Sequence, residues 1–101
     1  MDLNNACTIK FKNSDTEYAA TMDNISANGF AFLATDNIFT QSKNASITVT
    51  IHDFALPDHN VLEGRIILCS DDNGLFIVGC QMPEDNFYIL EYVEKNLESK
   101  K

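Results

Sequence analysis

Positive charge is what this chain has least of. Its 101 residues include 7 Lys or Arg against 15 Asp or Glu, a net charge of −8 at neutral pH. Arg65 is the single arginine, and three of the lysines (Lys95, Lys100 and Lys101) lie at the C-terminal end. A field of this sign repels nucleic acid and anionic membrane, so neither is expected as a partner. Long apolar runs are also missing: none approaches the roughly 20 residues of a helical membrane span. The stretch Met1–Asn5 has neither the positive flank nor the apolar core of a secretory signal. The expectation is a soluble, cytoplasmic protein, or a domain of a longer one. Chemical motifs are sparse. There is no glycine-rich phosphate loop and no nucleophile-elbow sequence around a serine. Cys7, Cys69 and Cys80 form no paired-thiol motif, and an odd number of them favours free thiols acting as small apolar side chains. An enzyme is the least favoured class, and no cofactor is expected.

An apolar share of 45% over 101 residues suits one domain, 1–101, with one modest core. Alternation dominates. In Ala6–Asn13, Cys7, Ile9 and Phe11 share a face. In Thr16–Met22, Tyr18, Ala20 and Met22 do so, and in Ala45–Ile51, Ile47, Val49 and Ile51. Phe30–Thr35 is apolar at nearly every position, as in a strand covered on both sides. Val61–Ser70 places Leu62, Ile66 and Leu68 together, opposite Glu63 and Arg65. Leu75–Met82 comes next, with Gly79 marking a bend, bulge or close approach. Asn73-Gly74 between these last two strands supplies the positive-φ pair of a type I′ hairpin, in which residue 69 faces 78 and residue 80 faces 67. Cys69 and Cys80 are therefore not opposite each other. Within the polar segment Asp36–Asn44, Ile38 and Phe39 are expected to anchor on the core.

The pattern changes after Pro83. Between Asp85 and Leu97, Asn86, Leu90, Val93 and Leu97 recur at helical spacing, with Phe87 and Ile89 at the edge of the stripe. Glu84 and Asp85 suit a helix N-terminus. Six short strands are too many for a flat sheet that one helix must cover. The fold expected is an all-β, six-stranded antiparallel barrel with a C-terminal helix, over about 85–98, on one end or side.

Two clusters could carry chemistry. His52 and His59 share a loop with Asp53 and Asp58, a set able to bind a metal, but the spacing is generic and an acidic surface loop accounts for it. The stretch Asp23–Gly29 is rich in short polar side chains and ends in glycine. It reads as a hairpin or bulged connection, or as a site where a ligand approaches backbone N–H groups.

The motif Asn24-x-Ser26-x-x-Gly29, with Phe30 behind it, resembles the signature of the PilZ family. Gly79-Cys80-Gln81-Met82 on the last strand and the helix after it fit the same pattern, and the likeness spans nearly the whole chain. The resemblance implies a six-stranded barrel and a role in bacterial cyclic di-GMP signalling, with Asn24, Ser26 and Gly29 as ligand-binding residues. Family members that bind the nucleotide add an Arg-x-x-x-Arg pair before the first strand, whose guanidinium groups grip phosphate and stack on guanine. No basic residue precedes the first strand here. Arg65, Lys10 and Lys12 are the candidate accessory cations, although lysine does not reproduce the guanidinium fork. Three readings stay open: a nucleotide receptor using other cations, a domain whose arginines lie upstream, and a nucleotide-independent module that binds a protein partner or an adjoining domain.

Overall fold

A computed structural model describes residues 1–99, with side chains described through Lys95. Six strands close into an antiparallel barrel in the order β1-β2-β3-β6-β5-β4. They are β1 (Ala6–Phe11), β2 (Glu17–Ile25), β3 (Gly29–Ala34), β4 (Ser46–Ile51), β5 (Val61–Asp72) and β6 (Leu75–Gln81), and after them comes one helix, α1 (Phe87–Ser99). Closure pairs β1 with β4 and leaves most strand edges satisfied.

The alternating faces fill the interior. Ile9, Phe32, Val49, Ile51, Ile66 and Val78 are fully buried, and among the described residues no polar or charged one is buried with them. Phe39 plugs the end of the barrel where β1 finishes and β2 begins. It sits on a short 3₁₀ turn, Asn37–Gln41, which the Asp36 carboxylate caps by accepting from the Ile38 amide at 3.0 Å. Its ring packs on Phe32 (5.3 Å between centroids), Phe11 and Tyr18, so the anchoring role expected of Ile38 and Phe39 is met. The Asn73-Gly74 hairpin forms with both residues at positive φ, 55° and 89°.

The opposite end is closed by α1. Here the expected stripe is corrected. The buried anchor is Ile89, with Tyr92 and Val93 packed beside it, whereas Leu90 is exposed; Leu97 lies outside the described side chains. The helix begins at Phe87, later than expected, because Asn86 caps it: its Oδ1 accepts from the Tyr88 and Ile89 amides at 3.0 and 3.1 Å. The cap fixes where the helix starts, and on its inner face Tyr92 meets Phe54 edge to face at 5.4 Å.

Strand details also differ from expectation. β5 carries a bulge at Ile67, so Cys80 faces Ile66 rather than residue 67, while Cys69 faces Val78 as predicted. The extra residue reverses the alternation, and Leu68 turns outward at 58% exposure instead of joining Leu62 and Ile66. Gly79 lies across from it, and a Cβ there would meet the Leu68 Cβ at 3.6 Å, an ordinary contact distance. In β3 only Phe30, Phe32 and Ala34 are buried; Gly29, Ala31 and Leu33 are half-covered, so the strand is not enclosed on both sides. All three cysteines are free, with Cys7 and Cys80 buried and Cys69 half-buried.

Candidate functional site

The Asn24–Gly29 stretch is shorter as a connection than its composition suggests. β2 continues to Ile25 and β3 starts at Gly29, leaving a tight hairpin in which the Ser26 amide donates to the Gly29 carbonyl at 2.8 Å. What orients the motif is a bulge between Met22 and Asn24. Without it, inward-facing Met22 would be followed by an inward-facing residue 24. With it, Ile25 takes the interior position, fully buried, and Asn24 faces solvent. An irregularity of one residue thus places the motif's first side chain on the outer wall.

Gly29 serves a different purpose from the one its turn setting suggests. Neither it nor Ala27 or Asn28 has positive φ. Its hydrogen is required by packing, since a Cβ would sit 2.7 Å from the Cys80 carbonyl oxygen on β6. The Ser26 hydroxyl is engaged within the hairpin, its single proton shared between Asn28 Oδ1 (3.1 Å) and the Gly29 carbonyl (3.2 Å). The hairpin in turn holds the segment that leads from β6 into α1. The Asn28 carbonyl accepts from the Met82 amide at 2.9 Å, and the Ala27 carbonyl accepts from the Asn86 amide at 2.6 Å. The motif is tied to the helix cap by one shared residue, Asn86.

Register brings the distant arginine close. Gly29 pairs with Gln81, Gln81 with Arg65, and Arg65 with Ser46. The Lys12 amide then donates to the Ser46 carbonyl at 3.0 Å. Because barrel strands tilt and stagger, this single row climbs from the hairpin end on β3 to the opposite end at β1. Gln81, Arg65, Ser46 and Lys12 are exposed along it. Strand spacing puts the backbones of Gly29 and Arg65 about 10 Å apart. A groove of about 550 Å³ runs beside the row, lined by Lys12, Arg65, Gln81, Thr48 and Glu63 among others. Neither Lys12 nor Arg65 forms a side-chain ion pair among the described residues. Lys10 is elsewhere occupied, 3.9 Å from Asp15, and does not line the groove.

The segment before β1 also runs beside the motif. The Leu3 amide donates to the Asp23 carbonyl and the Ile25 amide to the Met1 carbonyl, both at 2.9 Å, and Asp2 bridges to Asn24. An exposed acid therefore stands next to Asn24, on the segment where the family resemblance implies arginines. Sequence pattern did not reveal this neighbour, because five residues of irregular backbone carry no periodicity. Gln81, by contrast, belongs to the Gly79-Cys80-Gln81-Met82 strand motif, but only the register shows that it links Gly29 to Arg65.

The histidines are separated. His52 Nε2 lies 2.8 Å from Thr8 Oγ1, while His59 stacks on Tyr88. Among the described residues no three His, Cys, Asp or Glu side chains gather as a metal site. Two of the three thiols are buried, and burial pushes Cys7 and Cys80 from 9.0 up to about 12. Cys69 is raised as well, by partial burial and then by the charge of Asp71.

Compared with known proteins, the chain matches no model of a protein family and no curated protein at a significant level.

Proposed function

We propose that this chain is a non-catalytic regulatory domain of bacterial cyclic di-GMP signalling, similar to the PilZ family. In this reading the nucleotide lies on the outer wall of the barrel between the Asn24–Gly29 hairpin and Arg65. The observation that carries it is the register row Gly29–Gln81–Arg65, which sets the last residue of the motif and the single arginine about 10 Å apart on the barrel wall, with Asn24 one strand farther off on β2. Asn24 supplies an amide able to read a guanine edge, and Arg65 supplies a guanidinium with no competing carboxylate bound to it among the described residues. Lys12 adds a second charge farther along the groove. Lys10 contributes less in this reading, since Asp15 already faces it.

Glu63 in the groove and Asp2 beside Asn24 oppose a dianionic ligand, as does the net charge of −8. The affinity expected is therefore modest, in the micromolar range or weaker, and falls with added salt. Isothermal titration with cyclic di-GMP tests the reading. Saturable heat that Arg65→Ala removes supports it. Absence of heat at millimolar nucleotide overturns the receptor role and leaves the second reading, a nucleotide-independent module for a protein partner or adjoining domain. Exposed apolar side chains at the start of α1 favour that second reading.

A further inference from the structure

The first turn of α1 leaves large apolar groups in solvent. Phe87 is 76% exposed and Tyr88 60%, and Val61 at the start of β5 is 54% exposed. These three border a single cleft of about 440 Å³, together with His59, whose ring stacks on Tyr88 at 3.9 Å and 16°. None of them is needed to seat the helix, because Ile89, Tyr92 and Val93 already do so from the other face. Isolated exposed apolar residues are ordinary, but a cleft with aromatic walls is not.

The rim has one sign. Glu63, Glu84 and Asp85 line the cleft and all three are exposed, while no lysine or arginine among the described residues lines it. Two of these acids precede α1 and are explained in part by the helix dipole. Glu63 is not, since it projects from β5. None of the three forms an ion pair among the described residues. Aromatic faces ringed by unpaired carboxylates suit a cationic partner, whose arginine or lysine can lie over a ring and meet a carboxylate at once.

We propose that this cleft docks a basic segment of a partner protein. One apolar side chain of that segment enters between Val61, Phe87 and Tyr88, and the flanking Lys or Arg side chains meet Glu84, Asp85 and Glu63. A second copy of this chain is a poor occupant, because it would bring acids against acids at a net charge of −8 each. Anionic membrane is repelled for the same reason. The cleft adjoins the Arg65 groove, sharing Glu63, Met82 and Pro83 with it, but its aromatic walls belong to it alone. The inference does not depend on nucleotide binding.

The probe is a fluorescein-labelled peptide of alternating leucine and arginine, followed by anisotropy and by amide chemical shifts of the protein. The expected result is saturable binding, with shifts centred on Val61, Phe87 and Tyr88. Phe87→Ser weakens it at least about tenfold, as does the double change Glu84→Lys with Asp85→Lys, and salt weakens it further. Leu68→Ser, an exposed apolar residue on another face, leaves affinity unchanged. Because Phe87 is exposed, its variant keeps the wild-type melting temperature, which separates lost docking from lost folding. The proposal is overturned by the absence of saturable binding at millimolar peptide. Equal losses in Phe87→Ser and Leu68→Ser also overturn it, as does a concentration-dependent dimer that shifts the same residues without peptide.

Discussion

Replacing Gly29 by alanine tests the most specific structural claim about the motif. The added Cβ would be placed 2.7 Å from the Cys80 carbonyl oxygen and 3.9 Å from the Gln81 Cα. Carbon–oxygen contacts in sheets lie at about 3.3–3.6 Å, so the backbones of β3 and β6 must part by over half an ångström. The obstacle is main chain locked in a ladder, not a side chain that can rotate away. Overpacking of this kind costs about 1–3 kcal/mol. Alanine also restricts the unfolded chain, which returns about 0.4–1 kcal/mol. The net loss expected is about 1–2 kcal/mol, a fall in melting temperature of roughly 5–15 °C for a domain this size. Gly79→Ala is the control. It sits on the same strand pair, but its nearest neighbour, the Leu68 Cβ at 3.6 Å, is at ordinary contact distance. That variant should melt within a few degrees of wild type. Thermal melts followed by circular dichroism decide the matter. A Gly29→Ala protein that melts with wild type, or a Gly79→Ala protein that falls as far, would refute the close-approach explanation.

Four further outcomes are expected. Ile89→Ala should lose about 2–4 kcal/mol, as a fully buried side chain does, while Leu90→Ala on the next residue stays within about 0.5 kcal/mol; urea titration separates the two. Leu68→Ser should be nearly neutral, because the bulge turns Leu68 to solvent, whereas Ile66→Ala costs about 2–5 kcal/mol; similar losses at both positions would mean that the bulge is absent. At pH 8 a thiol reagent should label Cys69 alone, with Cys7 and Cys80 reacting only after denaturation. Their folded values near 12 exceed the ordinary 9.0, so their contribution to stability is whole below pH 9 and is lost as pH rises from there toward 12; urea midpoints that hold constant across that interval would contradict this sign. Asp2→Arg should tighten cyclic di-GMP binding about tenfold, roughly 1.4 kcal/mol, by exchanging the acid beside Asn24 for a phosphate-binding group; calorimetry with unchanged affinity would count against the proposed ligand position.

Much of the barrel was legible because period-two alternation in Cys7–Phe11, Tyr18–Met22 and Ile47–Ile51 fixes which side faces inward, and six short strands in so short a chain need closure. The Asn73-Gly74 turn was legible for an equally local reason, the preference of those residues for positive φ. What escaped is whatever adds a residue without changing composition. The bulges at Asp23 and Ile67 leave no mark on an apolar pattern, yet the first orients Asn24 and the second exposes Leu68. The helix face escaped for the opposite reason. Phe87, Tyr88, Ile89, Leu90, Tyr92 and Val93 offer several apolar stripes, and the choice among them rests on a non-local bond from Asn86 to the Ala27 carbonyl. Of the candidate site, the motif residues were visible in the sequence. The proximity of Arg65 was not, since it arises from the stagger of strands around a closed barrel.

The row from Gly29 through Gln81 to Arg65 positions the proposed ligand, and amide chemical shifts during titration with cyclic di-GMP test that placement residue by residue. Saturable shifts are expected at Asn24, Ser26, Gly29, Gln81 and Arg65, with Arg65→Ala abolishing those at the hairpin as well as its own. A spectrum unchanged at millimolar nucleotide, or shifts confined to α1 and the His52–Asn60 loop, would contradict it.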